Sequence, residues 1–298
     1  MARILDVTVE PARAAAIRRT RAADAGRILR QRPLMVLGGA ILLAIGLLAL
    51  LAPWIAPHDP TELNVIDRLR PPGGDYWLGT DAYGRDMLSR ILYGGRVSLF
   101  VGVSVALLST VIGLAIGVVA GYYRLADAIV MRFMDGLMAI PGILLAIALM
   151  ALTKASLEVV VIAITIPEIP RVVRLVRAVV LSIREQTYVH AAITVGTRFH
   201  RLMLRHVLPN TVAPLVVQAT YICASAVLIE AYLSFLGVGT PPEIPSWGNI
   251  IADGRLYVQI AFWQVLFPGV FLALMVLSIN VLGDGLRDLL DPRLARRM

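Results

Sequence analysis

The sequence predicts an all-α polytopic membrane protein with six transmembrane helices. The 298-residue chain is 58% hydrophobic and only 16% charged, with a mean hydropathy of +0.77. This is more apolar surface than a soluble core of such a length can bury. The chain also contains apolar runs of about 20 residues, the length that a helix needs to cross about 30 Å of hydrocarbon. Arginines concentrate at both ends and between these runs, as expected for segments that stay outside the bilayer.

The predicted spans follow one another with polar segments between them. They run from about Leu34 to Ala52, Val97 to Gly121, Phe133 to Leu152, Ser156 to Val176, Thr211 to Leu236 and Phe262 to Gly283. The first span is interpreted as an uncleaved anchor, because its apolar run is longer than a signal core and no small-residue cleavage site follows. In the third span, Pro141 is expected to introduce a kink, and Asp135 to stabilise a helix amino terminus.

The distribution of arginine predicts the orientation. Eight arginines precede the first span, so the amino terminus is predicted to be cytoplasmic, and six spans return the carboxyl terminus to the same side. The loop between the fourth and fifth spans is also predicted to be cytoplasmic. Its arginines, opposed only by Glu185, are Arg177, Arg184, Arg198, Arg201 and Arg205. The charge-balanced loop from Pro53 to Arg96 is predicted to be extracytoplasmic, with a surface helix from about Asp86 to Gly95.

Several classes of function are excluded by missing residues. The only lysine, Lys154, does not follow a glycine-rich loop, so the chain has no P-loop with which to hydrolyse ATP. The only cysteine, Cys223, lies in the fifth span, which rules out an intrachain disulfide and a cysteine metal site. Asp81 and Asp86 are interpreted as turn and cap residues rather than calcium ligands. No catalytic constellation or metal site is predicted, and the placement of the basic residues argues against nucleic-acid binding.

The basic cytoplasmic loop has a helical pattern of its own. Its apolar residues recur at steps of three and four and predict a stripe on one helix face. They are Tyr188, Ala191, Ala192, Val195, Phe199, Leu202 and Met203. Gly196 predicts a turn that ends the helix, and Pro209 a stop before the fifth span. From the residues alone, this segment could lie on the lipid surface or form a docking surface for a protein.

A family resemblance favours the docking surface. The segment resembles the EAA loop of binding-protein-dependent ABC importer permeases, in which Glu-Ala-Ala, three residues, Gly, nine residues and an apolar-x-Leu-Pro ending recur. Ala191, Ala192, Gly196, Leu208 and Pro209 match this pattern in register. Two positions depart from it: His190 replaces the Glu, and His206 replaces the usual apolar residue.

Distant segments are similar to the C-type permease subunit of dipeptide and oligopeptide importers. They are Leu78–Arg90, Gly95–Leu99, Asp135–Gly142, Leu233–Gly237, Pro245–Asn249 and Gly283–Arg293. The resemblance implies a type I ABC importer permease fold. It also implies four parts: a basic cytoplasmic tail over 1–33, the first span with its outer loop over 34–96, a permease core over 97–284 with the EAA loop at 184–209, and a cytoplasmic tail over 285–298.

The resemblance further implies a set of partners. A second homologous permease would complete a heterodimeric pore, two ABC ATPase subunits would use ATP and Mg, and an extracytoplasmic solute-binding protein would deliver the substrate. No cofactor is expected on this chain. The coupling helix, at about Arg184 to Val195, would sit in a groove of an ATPase subunit. The residues implied in ATPase coupling are Arg184, Glu185, Tyr188, His190, Ala191, Ala192, Val195, Gly196 and Phe199.

Two acidic residues lie inside predicted spans and are candidates for the translocation pathway. Glu168 either lines the pathway or pairs locally with Arg171, and Glu230 either lines a cavity or fixes helix packing. The family resemblance implies di- or oligopeptides as the substrates. Glutathione or nickel chelates within the same family, and a self-contained carrier or channel, are the alternatives.

Overall fold

In the computed structural model, residues 32–153 and 155–290 are described, and their regular secondary structure is helical. The long helices are α1 Pro33–Leu50, α3 Met87–Tyr122, α6 Leu157–Arg184, α9 Leu208–Phe235 and α11 Trp263–Leu290. The shorter ones are α2 Ala52–Ile55, α4 Arg124–Met138, α5 Gly142–Ala151, α7 Thr187–Thr194, α8 Phe199–Leu202 and α10 Trp247–Gly254. Most of the predicted basic amino-terminal tail and the end of the carboxyl-terminal tail lie outside the described residues.

Four helical segments of the described chain are long and apolar enough to cross a membrane. They are α1, α3, the continuous helix Met203–Phe235 and α11. A fifth span results if α4 and α5, which meet at an angle of 84°, are counted together. Helix α6 is long enough but carries Glu168, Arg171 and Arg174 in its middle. Length and composition therefore support four or five spans, where the sequence pattern predicts six.

The third predicted span is divided into two helices. α4 ends at Met138 and α5 begins at Gly142, so the break expected at Pro141 is confirmed, but a single helix from Phe133 to Leu152 is wrong. Asp135 lies in the last turn of α4, not at a helix amino terminus. Its carboxylate instead accepts a hydrogen bond of 2.6 Å from Arg174 of α6. The expected dipole role of Asp135 is therefore wrong, and its partner lies on a different helix.

Helices α3 and α6 pack closely along a row of glycines. Glycines at four-residue intervals occupy one face of a helix, which allows a neighbouring helix to approach. An added Cβ atom at these glycines would come within 2.5 to 2.7 Å of a valine Cβ on α6. The opposed pairs are Gly113 with Val172, Gly117 with Val176 and Gly121 with Val180. This contact holds α6, which leads into the candidate coupling loop, against the centre of the bundle.

Helix α3 begins at Met87, well before the predicted second span. Asp86 caps it by accepting a hydrogen bond of 2.8 Å from the Ser89 N–H, which confirms the predicted cap role of Asp86. The expected separate surface helix is therefore wrong. Its apolar residues are buried because α10 covers them, and the Trp247 indole donates a hydrogen bond of 2.9 Å to the Ile91 carbonyl.

Candidate functional site

The candidate coupling helix is a separate short helix. α6 ends at Arg184 and α7 begins at Thr187, so the predicted continuous helix from Arg184 to Val195 is wrong. Arg177 and Arg184 lie within α6 rather than in a loop. The Arg184 guanidinium donates a hydrogen bond of 2.9 Å to the Tyr122 carbonyl at the end of α3. The start of the coupling segment is therefore tied to α3 as well as to α6.

One side of α7 is anchored in the core. Val189 is 1% exposed and belongs to the same core cluster as Leu202, Met203 and Val207, against which Ala192 also packs. The predicted apolar stripe did not include Val189. Its spacing of three residues from Ala192 places both residues on one helix face and could have identified it. The side chain of Phe199 lies outside what the structure describes. The face of α7 that packs against the core is therefore rotated about the helix axis relative to the predicted apolar stripe.

Much of the rest of α7, and the residue that follows it, is exposed. Tyr188 is 47% exposed and Val195 is 86% exposed, and His190 and Ala191 are exposed as well. Glu185, between α6 and α7, is also exposed. An exposed set of apolar side chains on a helix that is held from behind has the properties of a docking surface.

Gly196 ends the helix in the manner that the sequence predicts. Its φ is +81°, a conformation that favours glycine. The Gly196 N–H donates to the Ile193 carbonyl at 2.9 Å, and the Thr197 N–H donates to the Ala192 carbonyl at 3.0 Å. These two bonds form a Schellman motif. A Cβ atom at Gly196 would meet nothing within 4 Å, so the requirement for glycine is conformational rather than steric.

The segment after Gly196 passes into α9 without a stop. α8 continues into a π-helical turn over Met203–Val207, and the Leu208 N–H donates to the Met203 carbonyl. Pro209 is the second residue of α9 and follows the π-helical turn directly, so it has no N–H to donate to that turn. The predicted stop at Pro209 is therefore wrong, because the wider turn accommodates the proline.

Ion pairs connect α6 to α4. The Arg177 guanidinium binds both carboxylate oxygens of Asp127, with its Nη2 at 2.7 Å from Asp127 Oδ2. Arg174 makes the second contact, to Asp135. A bidentate arginine–carboxylate contact fixes orientation as well as distance. Only two residues link α7 to α6, so a displacement of α7 would move α6 as well. The contacts of α6 would then transmit this movement to α3 and α4.

Glu168 lies buried in the middle of α6 and pairs within that helix. Arg171 Nη1 is 3.1 Å from both Glu168 carboxylate oxygens, while the Arg171 side chain remains 55% exposed. The helix continues through Pro167 and Pro170 on either side of it. This geometry agrees with a local pair between Glu168 and Arg171, which was the alternative to a role of Glu168 in the pathway.

Glu230 on α9 is fully buried in a polar network. It accepts a hydrogen bond of 2.8 Å from the Ser234 hydroxyl, with Ser98 of α3 at 3.5 Å. Ser234 contacts Thr240 at 3.2 Å, and Thr240 donates to Ser246, the cap of α10, at 3.1 Å. The network joins α3, α9 and α10, an arrangement that favours the packing role over the pathway role.

We expect Glu230→Gln to preserve the uptake that the family resemblance implies, and Glu230→Ala to reduce the stability of the protein. Glutamine retains an oxygen that can accept the Ser234 hydroxyl, whereas alanine leaves buried hydroxyls without an acceptor, at a cost of about 1–3 kcal/mol. Uptake per folded molecule and the thermal midpoint in detergent measure the two effects. If Glu230→Gln folds normally but loses uptake, Glu230 belongs to the pathway.

Comparisons with known proteins cover nearly the whole chain. A family described as "Binding-protein-dependent transport system inner membrane component" matches residues 109–296. A second, described as "N-terminal TM domain of oligopeptide transport permease C", matches residues 20–72. The first match includes the coupling segment, and the second includes α1.

Individual proteins match over similar lengths. The probable peptide ABC transporter permease protein y4tQ of Sinorhizobium fredii is 51% identical, over 91% of this chain and 93% of that protein. The dipeptide transport system permease protein DppC of Alkalihalophilus pseudofirmus is 41% identical, over 91% of this chain and 90% of its own length. A chain of the MetNI methionine ABC transporter in an inward-facing conformation shares the fold, with a TM-score of 0.57 and 21% identity over 69% of this chain and 98% of that chain.

Proposed function

The chain belongs to the binding-protein-dependent transport system inner membrane components, and we propose that it is the permease subunit of an ATP-driven importer that moves di- and oligopeptides across the cytoplasmic membrane. The identity of 40–51% to permeases named for peptide or dipeptide transport supports the choice of substrate class. Transport proceeds by alternating access between an inward-open and an outward-open state.

The observation that carries this proposal is the anchored and exposed helix α7. Val189 holds it to the core, while Tyr188 and Val195 face outward and Gly196 closes it with a defined turn. The sequence has no P-loop, so the energy of ATP must arrive from other subunits. α7 docks on an ATPase subunit and passes its movement to α6.

In the complex, the permease contacts four kinds of partner. A second homologous permease forms the other half of the pore, two ABC ATPase subunits bind ATP and Mg below the membrane, a solute-binding protein delivers peptide from outside, and lipid covers the rest. The proposal requires no cofactor on this chain, because ATP and Mg bind to the ATPase subunits. Both termini lie in the cytoplasm.

The proposed topology has six spans. In it, α4 with α5 is the third span and α6 is the fourth. The charges in α6 are compatible with that position because Glu168 pairs with Arg171, and Arg174 with Asp135. Paired charges lower the cost of burial within a membrane protein.

Reconstitution tests the proposal directly. The chain is expressed with its partner permease and ATPase subunits, purified by a tag on this chain alone, and placed in proteoliposomes. We expect both ATPase subunits to copurify, and peptide-loaded binding protein to stimulate ATP hydrolysis and peptide uptake. Peptide transport by this chain alone, without an associated ATPase, would refute the proposal in favour of a self-contained carrier.

The departure at His190 leads to a specific expectation. His190→Glu should leave transport within about twofold of the parent protein, because the side chain is exposed and a carboxylate in the first half of α7 is favoured by the helix dipole. Binding-protein-stimulated ATP hydrolysis in proteoliposomes measures the effect. Loss of that stimulation in a complex that still assembles would contradict this expectation.

A further inference from the structure

Arg171 lies near the middle of α6, and its side chain is 55% exposed. It shares an exposed face of the helix with Arg174 and Ala178, turned away from the valines that contact α3. An arginine at the middle of a span is costly against hydrocarbon, and such residues almost always face a bundle interior or a water-filled cavity. With α6 as a span, this face is therefore expected to meet water rather than lipid.

The pair between Arg171 and Glu168 presents its positive member to that water. The Glu168 side chain is only 3% exposed, and both its oxygens contact Nη1 of Arg171 at 3.1 Å. Nη2 and Nε of Arg171 have no partner among the described residues. The guanidinium is therefore held by one nitrogen, and the other two are free to donate to a second carboxylate.

The break between α4 and α5 indicates water on the same side of α6. Residues 139–141 are exposed and lie outside both helices. A Cβ atom at Gly142 would lie 3.3 Å from the Pro167 side chain, and Pro167 precedes Arg171 by one helical turn. Non-helical backbone at membrane depth is tolerated only where it is buried in protein or lines a water-filled cavity. Because this backbone is exposed, the second condition applies.

A cavity of about 570 Å³ continues from this face toward the cytoplasmic ends of α9 and α11. Leu175, one turn after Arg171, forms part of its wall. No acidic residue of the described chain lines it, and its polar side chains are Asn210, Gln218, Tyr221 and Arg287. Asp284 accepts a hydrogen bond from the Tyr221 hydroxyl without lining the cavity. The volume falls within the range of about 300–1,000 Å³ that is typical of small-molecule sites.

We propose that Arg171 binds the terminal carboxylate of the peptide substrate as the peptide passes through the inner half of the pathway, with Glu168 as its positioning residue. The inference rests on the proposed function, which makes α6 a span and a peptide the substrate. Nη2 and Nε of Arg171 donate to the two carboxylate oxygens in a bidentate contact. Gln218 offers a donor and an acceptor to the peptide backbone. Because the terminal carboxylate is common to peptides of different sequence, this contact does not select among side chains.

The test measures the reactivity of a cysteine placed beside Arg171. Leu175→Cys is introduced into this chain with Cys223→Ser, and the assembled transporter is placed without nucleotide in nanodiscs of phosphatidylcholine. Anionic and cationic membrane-impermeant methanethiosulfonates are added, and modification of this chain is followed by mass spectrometry. The matched control is Ile162→Cys, because Ile162 is 55% exposed but lies about two and a half turns from Arg171, on the opposite side of α6.

We expect Leu175→Cys to react at least about tenfold faster than Ile162→Cys, because a thiol in hydrocarbon does not ionise. Adding Glu168→Gln and Arg171→Gln removes both charges of the pair, so that no buried carboxylate is left alone. The ratio of the anionic to the cationic rate should then fall about fivefold. Absence of reaction at Leu175→Cys would overturn the inference, because lipid or the second permease would then cover this face.

Peptide protection tests the carboxylate contact itself. A tripeptide with a free carboxyl terminus should slow the reaction of Leu175→Cys at least about threefold, whereas the same tripeptide with a terminal amide should not. Equal protection by the two peptides, or protection by neither, would overturn the inference. So would slowing by anionic lipid in the nanodisc without slowing by peptide, which would assign the site to a lipid headgroup.

Reactivity and protection are measured with Glu168 and Arg171 intact, so they decide the inference even if the charge-neutral variant does not fold. Copurification of the ATPase subunits and ATP hydrolysis stimulated by binding protein are measured on the same samples. A complex that assembles and hydrolyses ATP but shows no carboxylate-dependent protection contradicts this inference and leaves the proposed function intact.

Discussion

Gly117→Val is expected to destabilise the protein by about 3 kcal/mol and to prevent recovery of an assembled transporter. A Cβ atom at Gly117 would lie 2.7 Å from Val176 Cβ and 2.9 Å from the Val173 carbonyl oxygen. Both are parts of α6 that cannot move without separating the two helices, and overpacking of a close contact costs about 1–3 kcal/mol or more. The thermal midpoint and the yield of monodisperse protein in detergent measure the effect.

Gly46→Val provides the matched control. Gly46 lies in the apolar helix α1, and a Cβ atom there would meet nothing within 4 Å. The same substitution should therefore leave the midpoint nearly unchanged. A second variant, Gly117→Ala combined with Val176→Gly, removes the opposing Cβ and should recover part of the lost stability. Equal stability of Gly117→Val and Gly46→Val would show that α3 and α6 are not packed as described.

Gly196→Val is expected to weaken communication between this chain and the ATPase subunits without preventing assembly. A β-branched residue at φ +81° is strained by about 1–3 kcal/mol, so the Schellman turn and the last turn of α7 would open. Because a kilocalorie-scale shift corresponds to roughly tenfold in an equilibrium, we expect binding-protein-stimulated ATP hydrolysis and uptake to fall about tenfold. Both are measured in proteoliposomes that contain the complete complex.

The variant Gly196→Asn distinguishes the effect of backbone conformation at this position from the effect of side-chain size. Asparagine adopts positive φ more readily than valine does, and nothing within 4 Å obstructs a side chain at this position. We expect this variant to retain at least about half of the coupled activity. If valine and asparagine behave alike, with both fully active or both inactive, the turn does not act through its backbone conformation.

The helix and the glycine turn of the candidate coupling loop could be predicted from the sequence because their signals are local. Gly196 has a positive φ, and two hydrogen bonds from Gly196 and Thr197 to carbonyls of α7 close the end of that helix. The exposed Tyr188 and Val195 lie within eight residues of each other in the same segment. Local sequence signals could not show which side of α7 packs against the core. Val189 is buried by residues that follow the turn, and only the return of the chain toward α9 brings them together.

The errors in the outer and middle segments have a similar cause. The sequence shows an amphipathic segment at Met87 but not that Trp247 of α10 covers it, more than 150 residues later. Likewise, Asp135 has no visible partner in its own segment, and its bond to Arg174 exists only because α4 and α6 are adjacent. Periodicity within a segment contains no information about a residue that approaches from elsewhere.

The sequence by itself therefore determined the membrane class, the approximate positions of the long helices and the glycine turn that follows α7. These depend on composition and on interactions within a few residues, which the order of side chains contains directly. Only the tertiary structure decided which face of α7 is buried, how the third predicted span divides at Pro141 and which carboxylates pair with the arginines of α6. Those outcomes depend on packing between segments far apart in the chain, where the free energy of a residue is set by the neighbours that the fold supplies.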